Sequence, residues 1–294
     1  MIVVTGATGF LGRNLLKLYA DTERFVCLTR RDPKEIGFPH HPHVTWQKTD
    51  YREDLTDILK EAEGVIHFAG RKADAEKEGI FAYRDNYELT ERLFAHCRDA
   101  GAANVVYLSS RCVYSDKNNL PFSEKETPRP LNLYGLSKRM GELMAGYYHD
   151  RYGMHIKSLR LSQVFGVDTE NAPSLFLKCA KKNEPITLYG KGKSVRDYLY
   201  VKDAAYAIMR AVKKPSLSGV YNIGSGTAVS YLKLAETASM IYKRKDLIRF
   251  LPDRKDDPVN VQLDCKKAER ELMFISRYSL LEAFEDMKRI MDSQ

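Results

Sequence analysis

The sequence predicts an α/β protein: a doubly wound parallel sheet covered by helices on both faces, with a smaller α/β lobe towards its C-terminal side. Three observations point there. Short apolar runs alternate with helix-period stripes from Ile2 to Leu161, the rhythm of strands joined by helical crossovers. The first run is closed by glycines that also open the first helix, in Thr5-Gly6-Ala7-Thr8-Gly9-Phe10-Leu11-Gly12. Beyond Gly166 the elements shorten and that rhythm loosens.

Taken in order, Ile2 to Thr5 is the first strand, and Phe10 to Ala20 carries Phe10, Leu11, Leu15, Leu16, Leu18 and Tyr19 as a helical stripe. Phe25 to Thr29 and Val44 to Lys48 read as strands, Asp54 to Ala62 as a short helix, and Gly64 to Phe68 as a buried strand. Tyr83 to Ala100 is a long helix stopped by Gly101, and Val105 to Leu108 the fifth strand. Leu133 to Arg151 is a helix ending near Gly153, followed by a strand from Ile156 to Leu161. Shorter pieces follow at Ser174 to Lys181, Ile186 to Tyr189, Val195 to Tyr200 and Asp203 to Val212. A strand at Val220 to Ile223 and helices at Tyr231 to Tyr242 and Leu280 to Met291 complete the chain, with no internal repeat or low-complexity linker.

Composition bounds the function. The 294 residues exceed one usual core, and 44% hydrophobic with 29% charged residues excludes disordered and fibrous classes. Uncharged apolar runs such as Gly64 to Gly70 are too short to span a bilayer, so no membrane role is expected. Met1 leads into Ile2-Val3-Val4 without a basic n-region, and no signal peptide is expected. Five dispersed cysteines, none in a Cys-x-x-Cys pair, read as reduced thiols of a cytoplasmic protein. The 47 basic and 39 acidic residues leave +8, interleaved along the chain. That disfavours nucleic acid as a partner and is compatible with small phosphorylated ligands. His40, His41 and His43 sit in a loop with Pro39 and Pro42 and no ligand cluster nearby, so no metal is expected. Cys112, with no histidine in its local motif, reads as packing.

Chemistry enters at the first turn. In the G-x-x-G-x-x-G spacing, glycines let the backbone turn tightly and approach a pyrophosphate, whose charge suits a helix N-terminus. The expectation is a Rossmann-type dinucleotide domain over residues 1–166, with 195–215 returning to it and 167–294 as the smaller substrate lobe. An acid at the end of the second strand would read the 2′-hydroxyl of NAD. Here Leu28-Thr29-Arg30-Arg31 offers two arginines instead, which favour NADP while leaving NAD possible. Tyr134 and Lys138 stand at i and i+4 on one helix face, where an ammonium would lower the phenol's pKa towards neutrality. Ser110, at the carboxyl end of the preceding strand, could then hold the substrate oxygen on which Tyr134 acts as acid or base.

With these residues in place the sequence resembles the extended short-chain dehydrogenase/reductase family, in its nucleotide-sugar epimerase/dehydratase branch. The resemblance runs nearly end to end: TGATGFLG at 5–12, VIHFAG at 65–70, VVYLSSRCVY at 105–114, YGLSK at 134–138, LRLSQVFG at 159–166, GKGKSVRDYLYVKDAA at 190–205 and VYNIGSG at 220–226. It implies that Ser110, Tyr134 and Lys138 are catalytic, Lys138 also binding the nicotinamide ribose. It implies cofactor contacts from Gly6, Thr8, Gly9, Phe10, Leu11, Gly12, Arg30, Arg31, Asp50, Tyr51, Phe68, Ala69, Gly70, Asn86 and Leu161, with Asp50 near the adenine. It implies substrate contacts from Ser110, Gln163 and Arg196, the last gripping a diphosphate. Arg254 is read either as a second grip or as a surface salt bridge, the latter being the alternative for Arg196 too, and Arg111 either as a substrate contact or as a solvated side chain.

Departures from the family pattern narrow the reaction. The 4,6-dehydratases need a Thr-Asp-Glu run where this sequence has Ser110-Arg111-Cys112, so dehydration is disfavoured. Ser115 replaces a glycine usual after the Val-Tyr pair, and Gln163 a common asparagine. The favoured reading is an NADPH-dependent reductase of a 4-keto nucleotide sugar. The alternatives are a nucleotide-sugar 4-epimerase and a non-catalytic NADP sensor. The resemblance also implies a homodimer, paired through the helices at 83–100 and 133–151.

Overall fold

The structure, a computed structural model, describes residues 1–71, 79–255 and 260–293. In chain order its strands are β1 (Ile2–Thr5), β2 (Phe25–Thr29), β3 (Val44–Lys48), β4 (Gly64–His67), β5 (Asn104–Ser110) and β6 (His155–Leu161), then β7 (Gln163–Phe165), β8 (Ile186–Tyr189), β9 (Val195–Tyr200), β10 (Gly219–Ile223), β11 (Ala228–Ser230) and β12 (Ile248–Leu251). The α-helices are α1 (Phe10–Tyr19), α2 (Thr56–Lys60), α3 (Arg84–Asp99), α4 (Leu133–Tyr152), α5 (Ala172–Lys182), α6 (Val201–Val212), α7 (Tyr231–Ile241) and α8 (Leu280–Asp292).

Seven strands form one sheet in the order β10-β6-β5-β4-β1-β2-β3, every neighbouring pair parallel. Alternation along each strand feeds two cores. Ile2 and Val4 of β1 and Val106 and Leu108 of β5 pack with Leu15 and Leu16 of α1 and Ala204, Ala207 and Ile208 of α6. On the other face Val3, Val65, Val105 and Tyr107 meet Leu59 of α2, Leu93 and Phe94 of α3, and Ala145 and Tyr148 of α4. Each such aliphatic side chain withdrawn from water contributes about 1.5–3 kcal/mol. The order reverses between β1 and β4, which opens a crevice at the carboxyl ends of those strands.

The smaller lobe holds a sheet of β11-β9-β7, a parallel pair β8-β12, and helices α5, α7 and α8. Its core is Leu177, Leu188, Tyr198, Tyr200, Leu234, Phe284 and Met287. Two buried carboxylates staple turns to it. Asp197 accepts hydrogen bonds from the backbone of Ser225 and Leu263, and Asp203 from those of Arg277 and Tyr278.

Several boundaries differ from the sequence reading. The 195–215 segment splits: β9 joins the small sheet, and only α6 covers the large one. Conversely β10, inside the expected small lobe, hydrogen-bonds to β6 as the seventh strand of the main sheet. β7, expected on the dinucleotide side of residue 166, pairs with β9. A chain that crosses repeatedly between sheets has no single boundary, and three-residue strands such as β7 and β11 carry too few residues to show a period. α2 is shorter than expected because the Asp54 carboxylate accepts from the Thr56 backbone N–H in a turn.

Candidate active site

The crevice is built from the first turn outward. Gly6 has φ +70° and its missing side chain would lie 2.6 Å from the Ala69 nitrogen, so β1 and the loop after β4 can touch only at glycine. A Cβ on Gly12 would meet the Ala7 Cα at 2.5 Å, which seats α1 against the same turn. Gly9 is different: its Cβ position meets only the Gly6 carbonyl, at 3.4 Å, and otherwise opens outward. Gly9 begins α1 with no side-chain cap and no acid in the first turn. Backbone N–H groups therefore face a cleft of about 470 Å³ lined by Gly6, Thr8, Gly9, Phe10, Leu11, Gly12, Phe68, Ala69, Gly70, Ser110, Tyr134, Lys138 and Leu161. A second cleft of about 340 Å³ shares Gly6, Thr8, Ala69 and Gly70 and adds Arg30, Arg31, Tyr51 and Asn86. Two joined hollows that meet at an uncapped helix N-terminus fit a dinucleotide with its pyrophosphate at the glycine turn.

α4 brings the next group together. Asn132 caps the helix by accepting from the Gly135 N–H, and a side chain on Gly135 would come 2.0 Å from the Cys112 carbonyl oxygen. Glycine there lets the helix start press against the Arg111–Val113 turn, so Tyr134 reaches Ser110. Burial pushes the Tyr134 phenol well up, and hydrogen bonding to Ser110 only partly opposes this. Lys138 is buried, donates to the Leu108 carbonyl at 2.7 Å, and lies 5.9 Å from the Tyr134 ring centre. Burial draws its own pKa down to about 8. The i, i+4 spacing predicts a phenol lowered towards neutrality; in the structure burial pushes it the other way.

Sequence reasoning missed the supports beneath these residues. Thr90 donates to the Asn86 carbonyl, so its oxygen accepts from His67 Nε2 at 2.9 Å, and His67 Nδ1 accepts from the Thr5 hydroxyl at 2.6 Å. Burial lowers His67 to about 3, so this bridge between β1, β4 and α3 is a neutral one. Asn86 holds both backbone groups of Arg71, its Oδ1 accepting at 2.6 Å and its Nδ2 donating at 2.9 Å, which fixes Gly70 beside Lys138. Further down α4, Glu142 accepts from Ser109 at 2.7 Å and from Arg160. The spacing Tyr134, Lys138, Glu142 on one face is the available sequence signal.

Other expected contacts lie elsewhere. Asp50 is exposed, accepts from the Arg52 N–H, and lines a shallow outer hollow with Arg30, away from the glycine turn. Tyr51, at φ +64°, takes the inward position instead and donates to the Leu28 carbonyl. Gln163 starts β7 opposite Tyr198; its neighbours Ser162 and Val164 line the larger cleft, and it does not. Arg111 is half-buried with its charge near Tyr198. Arg196 is 4% exposed, with its guanidinium 5.8 Å from the Tyr231 ring centre. Arg254 is exposed and donates to the Tyr189 hydroxyl at 3.1 Å, outside both clefts. His41 pairs with Asp21 and His43 with the Ala20 carbonyl. Among the described residues no cluster of three or more His, Cys, Asp or Glu is placed to hold a metal.

A sheet of this order with a glycine turn at its crevice defines a dinucleotide-binding α/β protein of the Rossmann type. The chain belongs to the NAD dependent epimerase/dehydratase family, whose profile matches residues 2–224, and it is an NAD(P)-dependent enzyme of that family. It is 27% identical to the dTDP-4-dehydro-6-deoxyglucose reductase of Escherichia coli over 293 residues, covering 92% of this chain and 91% of that one. Among solved structures, UDP-N-acetylglucosamine 4-epimerase from Bacillus cereus superposes with a TM-score of 0.87 at 30% identity, over 100% of this chain and 96% of the other. MoeE5, solved with UDP-glucuronic acid and NAD, superposes at 0.83 and 27% identity, over 99% of each chain. Among the described residues no helix is long and apolar enough to cross a membrane.

Proposed function

We propose that this protein reduces the C4 ketone of a nucleotide-activated hexose at the expense of NADPH. The observation that carries the reading is that the Tyr134 phenol and Ser110 line the larger cleft together with Lys138 and the glycine turn. The Ser110 and Tyr134 hydroxyls bond the C4 oxygen, and Tyr134 gives it a proton. A bound reduced nicotinamide would supply the hydride. Lys138, beside Gly70, holds the ribose hydroxyls, and the uncapped start of α1 takes the pyrophosphate. Arg30 and Arg31 in the second cleft support NADPH over NADH. Buried Arg196 is the contact for the substrate diphosphate.

The second reading is a C4 epimerase, favoured by the 30% identity to the Bacillus cereus UDP-N-acetylglucosamine 4-epimerase. An assay with a 4-keto-6-deoxy nucleotide sugar and NADPH separates them. Stoichiometric loss of reduced cofactor supports reduction. Interconversion of a plain UDP-hexose with its C4 epimer, without added cofactor and with no oxidation in the first assay, transfers the conclusion to the epimerase.

Two further properties belong to the same reading. The protein is a homodimer paired through α3 and α4, supported by Leu136, Leu143 and Tyr147 lying exposed along α4 and Phe81 just before α3. It works in the cytoplasm, supported by five free cysteines.

A further inference from the structure

We infer that Asp85 sets how strongly this protein distinguishes NADPH from NADH, by holding Arg30. The inference rests on reading the two joined clefts as the dinucleotide site. β2 ends in Thr29-Arg30-Arg31 and supplies no carboxylate at the position that reads the ribose. Folding supplies one from a different element. Asp85, in the first turn of α3, places its Oδ2 2.8 Å from Arg30 Nη1, and both side chains line the smaller cleft with Thr29 and Tyr51.

The pair is solvated, its side chains 63% and 57% exposed, so it contributes little to folding. Its effect falls on what enters the cleft. A 2′-phosphate must take Arg30 from Asp85, and it then sits close to a carboxylate that has lost its partner. A 2′-hydroxyl brings no charge to be repelled and can donate to that carboxylate. The adjoining outer hollow is balanced, with Arg30, Arg52 and Arg92 facing Asp50, Asp85 and Glu88. Removing the Asp85 charge tips that balance towards cation and frees Arg30. Asp85 thus restrains the NADPH preference that the two arginines set, and keeps NADH within reach.

Fluorescence titration of the purified full-length protein with NADH and NADPH tests this without any substrate. Asp85→Asn is expected to raise the NADPH-to-NADH affinity ratio roughly tenfold, with an unchanged melting temperature. In an Arg30→Ala background the same change should move the ratio clearly less, about two- to threefold, because only the direct effect of the carboxylate on the ribose substituent is left. An unchanged ratio in Asp85→Asn, with both dinucleotides still bound, overturns the inference alone. An equal shift with and without Arg30 also overturns it, since Asp85 would then act without holding the arginine. Failure of the unmodified protein to bind either dinucleotide overturns the site reading, and the inference with it.

Discussion

Arg160 and Glu142 form a two-pronged ion pair inside the protein, with Nε to Oε1 and Nη2 to Oε2 both at 2.8 Å and both side chains buried. The pair joins β6 to α4 one turn below Lys138, and Arg160 continues to the Tyr114 hydroxyl at 2.6 Å. Removing one partner leaves a buried charge uncompensated. Glu142→Gln should therefore cost about 3–5 kcal/mol of stability in urea unfolding. Replacing both residues with methionine should cost less than the single change. A double variant as unstable as Glu142→Gln would show that the pair is held by something other than charge compensation.

Tyr134→Phe should abolish turnover and leave dinucleotide affinity within about twofold, because the phenol acts only at the chemical step. Steady-state assays paired with fluorescence titration check it. Near-normal turnover would remove Tyr134 from the mechanism.

Lys138 gives a pH signature. Burial holds its pKa at about 8, below an ordinary lysine, so the ammonium loses its proton as pH rises through that value. Dinucleotide affinity should fall above about pH 8, and Lys138→Met should be weak and flat across the range. Titrations at a series of pH values decide, and an equal fall in the variant would assign the effect elsewhere.

A second buried lysine should show in stability. Lys157, at the start of β6, donates to Asn104 Oδ1 at 2.6 Å and to the Lys214 carbonyl, and burial lowers its pKa to about 7. The unfolded chain keeps a proton that the native state releases between about pH 7 and the ordinary lysine value near 10.5. Stability contributed by this group therefore rises with pH across that window, and its penalty is fully present below it. Lys157→Met should flatten the rise. Chemical unfolding at several pH values measures both slopes, and parallel slopes would contradict the assignment.

The α4 stripe makes the last prediction. Leu136, Leu143 and Tyr147 are 40%, 57% and 58% exposed on one helix. Leu143→Lys should convert a dimer to a monomer at micromolar concentration in light scattering, with little change in the fold. A monomeric unmodified protein would remove the dimer from the proposal.

Much of this protein was legible in its sequence, because the relevant signals are local. Alternating apolar runs marked the strands of the parallel sheet, and a glycine turn between β1 and α1 marked where its crevice opens. Tyr134 and Lys138 share a face through helix geometry alone, and Ser110 ends a strand whichever way the sheet is assembled. Contacts between distant segments were not legible. Only the fold sets β10 against β6, although 58 residues of chain separate Leu161 from Gly219 by their numbering. Only the fold leaves Asp50 exposed and buries Tyr51, which stands three residues past β3 at φ +64° with its hydroxyl donating to the Leu28 carbonyl. The upward push on the Tyr134 phenol is also tertiary: spacing places an ammonium nearby, but burial is set only by the fold. Asp85 meets Arg30 for the same reason, two exposed side chains 55 residues apart brought to 2.8 Å where the start of α3 and the end of β2 line one cleft.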